Sequence, residues 1–142
     1  MTIEEKQLLL KDLCGRLPYG IKCQYLGVGC DAETFEDVPE TTDDTIVFIE
    51  PDIYNVFLYE EGTDVDIEDI RPYLRPMSSM TEEERKEYNE VIAGMTLFEK
   101  EEARVCPYLM PVVWLLKKHF DVCGLLPKDL AVEAPVGMYK TE

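Results

Sequence analysis

The stretch from Ile70 to Glu84 constrains this chain most, because its local chemistry forbids the same kind of structure on its two sides. Pro72 and Pro76 each remove a backbone donor and push the preceding residue toward extended geometry, so no regular element is expected through residues 70–80. Thr81 then offers a hydroxyl to the free amides of a helix start, and Glu84 stands three residues on, where it can reach back. Before the stretch, apolar residues recur with a period of two; after it they recur with the period of a helix. The chain therefore reads as a strand-rich half, residues 1–69, a Pro-rich connector, residues 70–80, and a helical half, residues 81–142. At 142 residues these form one domain, large enough to bury a core unaided.

Within the first half, Thr2 and Glu5 form another capping-box pattern, predicting a helix through about Leu13, with Ile3, Leu9, Leu10 and Leu13 as its apolar stripe and Gly15 just past its end. Ile21, Cys23 and Tyr25 alternate with Lys22 and Gln24 as a half-buried strand over 21–28 would, with Gly27 and Gly29 marking a weak end or a bulge. Asp31 to Asp44 is acidic, contains Pro39 and has no sustained period, so a surface loop is expected. Thr45–Ile49 and Ile53–Tyr59 read as strands joined through Glu50-Pro51-Asp52, and Asp64 to Glu68 alternates acid with aliphatic.

In the second half, Thr81–Ala93 reads as a helix burying Tyr88, Val91, Ile92 and Met95, ended by Gly94. Thr96 and Glu99 suggest a short helix through about Arg104, and Pro111–His119 a final apolar helix around Trp114 that covers the sheet. Pro127–Leu130 reads as one more helical turn. The expected fold class is α+β: a three- or four-stranded antiparallel meander packed against an N-terminal helix and C-terminal helices.

Charge is concentrated. Residues 1–30 carry a net +1, residues 31–69 carry −15 with no Lys, Arg or His, and residues 70–142 carry −2, for a total of −16. Such a field repels nucleic acid and anionic membrane and favours a basic protein partner. Asp43, Asp44, Glu60, Glu61, Asp64 and Asp66 are the candidate partner-binding residues. A carboxylate-lined sheet can also imitate the phosphate charge of a duplex toward a nucleic-acid-binding protein, and the plainest alternative is a solvated face that maintains solubility. No apolar run approaches the ~18 residues of a membrane span. Met1-Thr2-Ile3-Glu4-Glu5-Lys6 lacks a signal-peptide layout, and the five cysteines form no C-x-x-C pair, so reduced thiols in a cytoplasm are expected.

Catalytic and metal chemistry find little support. Asp64, Asp66, Glu68 and Asp69 resemble the start of a calcium loop, but Asp69 and Arg75 stand where the loop needs Gly and Glu. One histidine and scattered cysteines offer no zinc spacing. His119, Asp121 and Cys123 invite a nucleophilic triad, without an evident oxyanion-hole loop. Ser78-Ser79 reads as helix lead-in, and no Gly-rich phosphate loop occurs. No cofactor, metal or catalytic residue is assigned, and a binding protein is expected rather than an enzyme. The alternatives are a self-assembling structural protein and, behind it, a small enzyme.

Three groups of residues carry a family resemblance. Arg71-Pro72-Tyr73-Leu74-Arg75-Pro76-Met77-Ser78-Ser79-Met80-Thr81-Glu82-Glu83-Glu84 resembles the signature of a family of short uncharacterised proteins from phages and mobile elements of gut anaerobes. Leu9 to Gly20 is similar to that family's opening, and His119-Phe120-Asp121, Gly124 to Pro127 and Leu130 to Pro135 to its C-terminal end. Where members usually carry Asn-Ala-His-His and Tyr-Arg, this chain has Lys117-Lys118-His119 and Val122-Cys123, so any role of a second histidine or of that arginine is missing. The resemblance implies a mobile-genome origin; taken with the concentrated charge and the lack of a catalytic constellation, it leads to the expectation of a small accessory protein that acts by binding a protein, such as a host defence or nucleic-acid-binding protein. It implies no chemistry.

Overall fold

In a computed structural model, the protein is described over residues 1–100 and 109–139, with side chains over 1–93 and 111–139. The first helix, α1 (Ile3–Arg16), starts as its sequence dictates: Glu5 donates its amide to the Thr2 hydroxyl, and the Glu5 carboxylate accepts from the Thr2 amide. It runs past Leu13. Gly15 lies inside it with ordinary helical geometry, so the glycine does not terminate the helix; an added Cβ would meet Leu116 Cδ1 at 3.4 Å, an ordinary contact. The chain stops turning only after a 3-10 turn at Leu17–Tyr19, where Gly20 adopts φ 85°. Leu9 and Leu13 are fully buried, whereas Ile3 is exposed.

Six strands follow: β1 (Ile21–Cys30), β2 (Asp37–Glu50), β3 (Asn55–Leu58), β4 (Thr63–Asp66), β5 (Ile70–Leu74) and β6 (Val132–Glu133), in the spatial order β4-β3-β2-β1-β5-β6. All neighbours are antiparallel except β5 and β6. The protein is thus α+β, but the sheet exceeds the expected three or four strands, and β5 leaves the meander to pair with β1.

Two expectations fail for one reason, the backbone ladder. Most of the expected loop at 31–44 is strand, because β2 pairs with β1 continuously from Ile21↔Ile46 to Cys30↔Asp37. Gly27 and Gly29 lie in that regular register, with no bulge. The Pro-rich connector likewise contains β5, and Pro72 sits opposite Cys23. Its missing N–H is tolerated because β6 pairs with β5 only at Tyr73 and Leu74, beyond the proline.

One face of the sheet is covered. Ile21, Cys23, Ile46, Ile49, Val56, Leu58, Val65, Ile70 and Leu74 share a core with Leu9 and Leu13 of α1 and with Leu125, Leu130 and Ala131. A register shift between Ile46 and Phe48 breaks the period of two, so Ile49 points inward while Val47 and Phe48 are exposed. The Glu50-Pro51-Asp52 connection is a 3-10 turn at Pro51–Ile53 closed by left-handed Tyr54, so β3 begins two residues after the expected Ile53.

The capping box at Thr81 and Glu84 forms and opens α2 (Glu82–Lys100). Gly94 does not end this helix, whose remaining bonds span the glycine at a cost of about 1 kcal/mol relative to alanine. Tyr88 and Val91 are half-buried and Ile92 is exposed; the Met95 side chain and the expected helix end near Arg104 lie outside the described residues. The last helix, α3 (Leu109–Lys117), begins before Pro111, which occupies the first turn where no intrahelical donor is needed. It ends before left-handed His119 (φ 66°). It is not the helix that covers the sheet. Trp114 of α3 packs on Tyr88 of α2 (5.4 Å between ring centroids) and on Phe120 (6.1 Å), while α1 and the segment from Phe120 to Ala131 cover the strands. Residues 127–130 form a turn and not a helix. No helix among the described residues is long and apolar enough to cross a membrane.

Candidate functional site

Strands β1 and β2 outrun their neighbours. The pairing of β1 with β5 stops at Tyr25↔Ile70, and that of β2 with β3 starts at Ile46↔Leu58. Leu26–Cys30 and Asp37–Thr41 consequently pair only with each other and form a two-stranded arm projecting past the sheet. The tip is held by local bonds: the Asp31 carboxylate accepts from the amides of Glu33 (2.8 Å) and Thr34 (3.2 Å), and the Phe35 amide donates to the Asp31 carbonyl. Those amides hold the Asp31 carboxyl below the usual range.

The arm's composition sets its character. Residues 26–41 carry Asp31, Glu33, Glu36, Asp37 and Glu40 and not one base. Leu26, Val28 and Phe35 are 52%, 72% and 81% exposed. On the opposite side, the glycines leave room for neighbours: a Cβ on Gly27 would strike the Tyr25 ring at 2.8 Å, and one on Gly29 the Glu40 carboxylate at 2.4 Å. One arm face is therefore filled by Tyr25 and Glu40, and the other offers Leu26 and Val28 to solvent.

The six acids singled out from sequence do not act alike. Asp44 is buried and accepts from the amides of Thr45 (2.7 Å), Glu60 (2.8 Å) and Glu61 (3.1 Å), which makes it the organiser of the turn after β3. Asp43 accepts from the Tyr73 hydroxyl at 2.5 Å, and burial together with that carboxylate pushes the phenol up to about 12. Asp66 caps the 3-10 turn that follows β4 by accepting from the Glu68 amide. Glu60, Glu61 and Asp64 are exposed, with Asp64 opposite Phe57 on the sheet's edge strand. The arm acids, nearer one another in sequence than this dispersed set, escape a reading by periodicity because residues 31–44 show no sustained period and look like a loop. Leu26 and Val28 alternating with Gly27 and Gly29 was the available signal.

The cysteine–histidine–aspartate grouping is also dispersed in role. Asp121 accepts from the Leu125 (2.8 Å) and Leu126 (3.0 Å) amides, closing the turn after α3. Burial, with Asp12 beside it, pushes the Cys123 thiol up to about 11, away from the reactive thiolate. His119 stacks on Tyr139 at 3.7 Å. Among the described residues no group of three or more His, Cys, Asp or Glu is placed to hold a metal ion.

Fold and site together define a small α+β protein whose half-covered sheet extends an acidic, apolar-faced β-arm. Compared with known proteins, the chain matches no family model, no curated protein and no solved structure.

Proposed function

We propose that the protein acts by binding a basic protein through the arm, as an accessory protein of phage or mobile-element origin that inhibits a host defence or nucleic-acid-binding protein. The observation that carries this reading is the arm itself, paired among the described residues to nothing beyond Tyr25 and Thr45 and carrying four exposed large apolar side chains, Leu26, Val28, Phe35 and Val38. A two-stranded ribbon alone is marginally stable in water, and each strand here presents an unpaired edge to which a partner strand can add. Burying Leu26, Val28 and Phe35 against a partner supplies roughly 1–2 kcal/mol each. The carboxylates select for a basic surface and oppose edge-to-edge pairing between copies, which weighs against the self-assembling alternative. Self-pairing through the Trp114 helix is also disfavoured, because Trp114 is already engaged by Tyr88 and Phe120. The origin rests on the resemblance of residues 71–84 to the mobile-element family.

The test is a comparative capture from host lysate, followed by titration calorimetry on the purified partner. A Leu26→Ser, Val28→Ser, Phe35→Ser variant should lose the partner, and a Glu33→Gln, Glu36→Gln, Asp37→Asn, Glu40→Gln variant should bind at least tenfold more weakly at low salt. Equal capture by the wild type and both arm variants would refute the assignment. Concentration-dependent dimers in light scattering, abolished by the apolar variant, would replace it with self-association.

A further inference from the structure

The basic residues of this acidic chain gather at the other end of β1. A cavity of about 400 Å³ opens there between the start of β1 and the C-terminal segment, lined by Tyr19, Lys22, Thr45, His119, Met138 and Tyr139 among others. Although 30 of the chain's 142 residues are acids, none lines this cavity among the described residues. Two aromatic walls each carry a lysine: Lys22 Nζ lies 5.8 Å from the Tyr139 ring centroid, and Lys117 Nζ lies 5.7 Å from that of Tyr19. Neither lysine forms an ion pair among the described residues.

Two guanidinium groups reinforce the sign of the field. Arg75 donates to the Lys118 carbonyl, and Arg16 to the Phe120 carbonyl, so they bracket His119 from both sides along the chain. Each guanidinium is held by a carboxylate, Glu84 and Asp12 respectively, and uses one nitrogen to reach residues 118–120 as well. Arg16 Nη1, on a side chain 1% exposed, has no hydrogen-bond partner among the described residues. Burial, with Arg16, Arg75 and Lys22 nearby, lowers His119 to about 4, as a positive local potential requires.

We infer that this cavity binds a small oxyanion, a phosphate or carboxylate group, with Lys22 as its charged contact, Lys117 adding positive potential from beside the Tyr19 wall, and the Tyr19 and Tyr139 rings as walls for an attached planar body. The chain's overall −16 opposes an anion at low ionic strength, but that long-range field is screened within about 8 Å at physiological salt, where the nearby lysines dominate. The site is separate from the arm and does not depend on its role.

His119 is the chain's one histidine, so its imidazole signals report on the cavity without ambiguity. Inorganic phosphate and benzoate are titrated separately into the full chain, at constant ionic strength set with chloride and at pH 7. The expected result is a saturable shift of the His119 signals with at least one probe, weakened at least tenfold in Lys22→Gln and by a smaller factor in Lys117→Gln. Both variants should retain the wild-type amide spectrum, since Lys22 and Lys117 are exposed. Saturation with benzoate alone assigns a carboxylate on an aromatic body; saturation with phosphate alone assigns a phosphate. A linear response to both probes, or an unchanged saturation curve in both lysine variants, overturns the inference.

Discussion

Glu84→Gln is the sharpest perturbation available, because Glu84 caps α2 and also answers the Arg75 guanidinium. Its carboxylate receives two bonds from Arg75 (2.8 and 2.7 Å) and one from the Thr81 amide, with side-chain exposures of 6% for Glu84 and 14% for Arg75. The Arg75 bonds, aided by the Thr81 amide and opposed by burial, hold the Glu84 carboxyl at about 2 against an ordinary 4.5. At about 1.4 kcal/mol per pH unit, that difference corresponds to about 3 kcal/mol of folding stability at neutral pH. Glutamine keeps the reach back to Thr81 but leaves Arg75 without a counter-charge, so the variant isolates the ionic part. With a urea dependence of about 2 kcal/mol/M, the unfolding midpoint at pH 7 should fall by about 1.5 M.

The pH dependence carries the sign. The folded value lies below the unfolded one, so the wild-type advantage is complete above 4.5 and disappears as pH falls through 4.5 toward 2. Adding Arg75→Met to Glu84→Gln should recover part of the loss, since the stranded cation is then gone. A midpoint shift below about 0.3 M at pH 7, or a difference that stays constant from pH 7 to pH 2, would refute the argument.

Asp44→Ala strands three amides at the turn after β3 and should lower the thermal midpoint by about 6 °C in calorimetry, at about 2 kcal/mol of lost hydrogen bonding. That variant should leave partner affinity unchanged, because Asp44 is buried. His119 is held neutral in the fold, at about 4 against 6.5 unfolded, so its contribution to stability is complete above 6.5 and is lost as pH falls through 4. Substituting His119→Gln should flatten that part of a stability-versus-pH curve measured by urea unfolding. In alkylation followed by mass spectrometry at pH 8, exposed Cys30 should react well before Cys23, which is buried and raised to about 12, and before Cys123.

What was legible in the sequence is what local chemistry decides. Thr2 with Glu5 and Thr81 with Glu84 announced both capped helices, and the apolar alternation around Ile46 and Val56 announced the middle of the sheet. Helix ends were less legible: Gly15 and Gly94 look like terminators, yet both lie inside helices that the following residues continue. The outer half of β2 was hidden because both faces of a two-stranded ribbon are wet, so nothing forces an apolar period on Asp37–Thr41. β5 was hidden by Pro72, whose tolerance depends on where a strand 60 residues later begins. Among the candidate site residues, net charge locates the carboxylates in one segment but cannot separate their roles. Asp44 looks like any surface acid until the Glu60 and Glu61 amides, sixteen and seventeen residues on, are seen bonded to it.

The bond from Arg16 to the Phe120 carbonyl bears on the order in which the chain folds. The Asp12 carboxylate is available to Arg16 within one turn of α1, but the carbonyl is supplied by a residue 104 positions later. When α1 lies on the first strands alone, Arg16 has Asp12 as its partner, and its second acceptor arrives only with the segment after α3. The complete burial of Arg16 therefore depends on a contact across most of the chain, the kind of long-range closure that slows folding. A fragment holding only residues 1–69 would retain local hairpins but not the helix-on-sheet layer, so the two compositional halves of the chain are one cooperative unit.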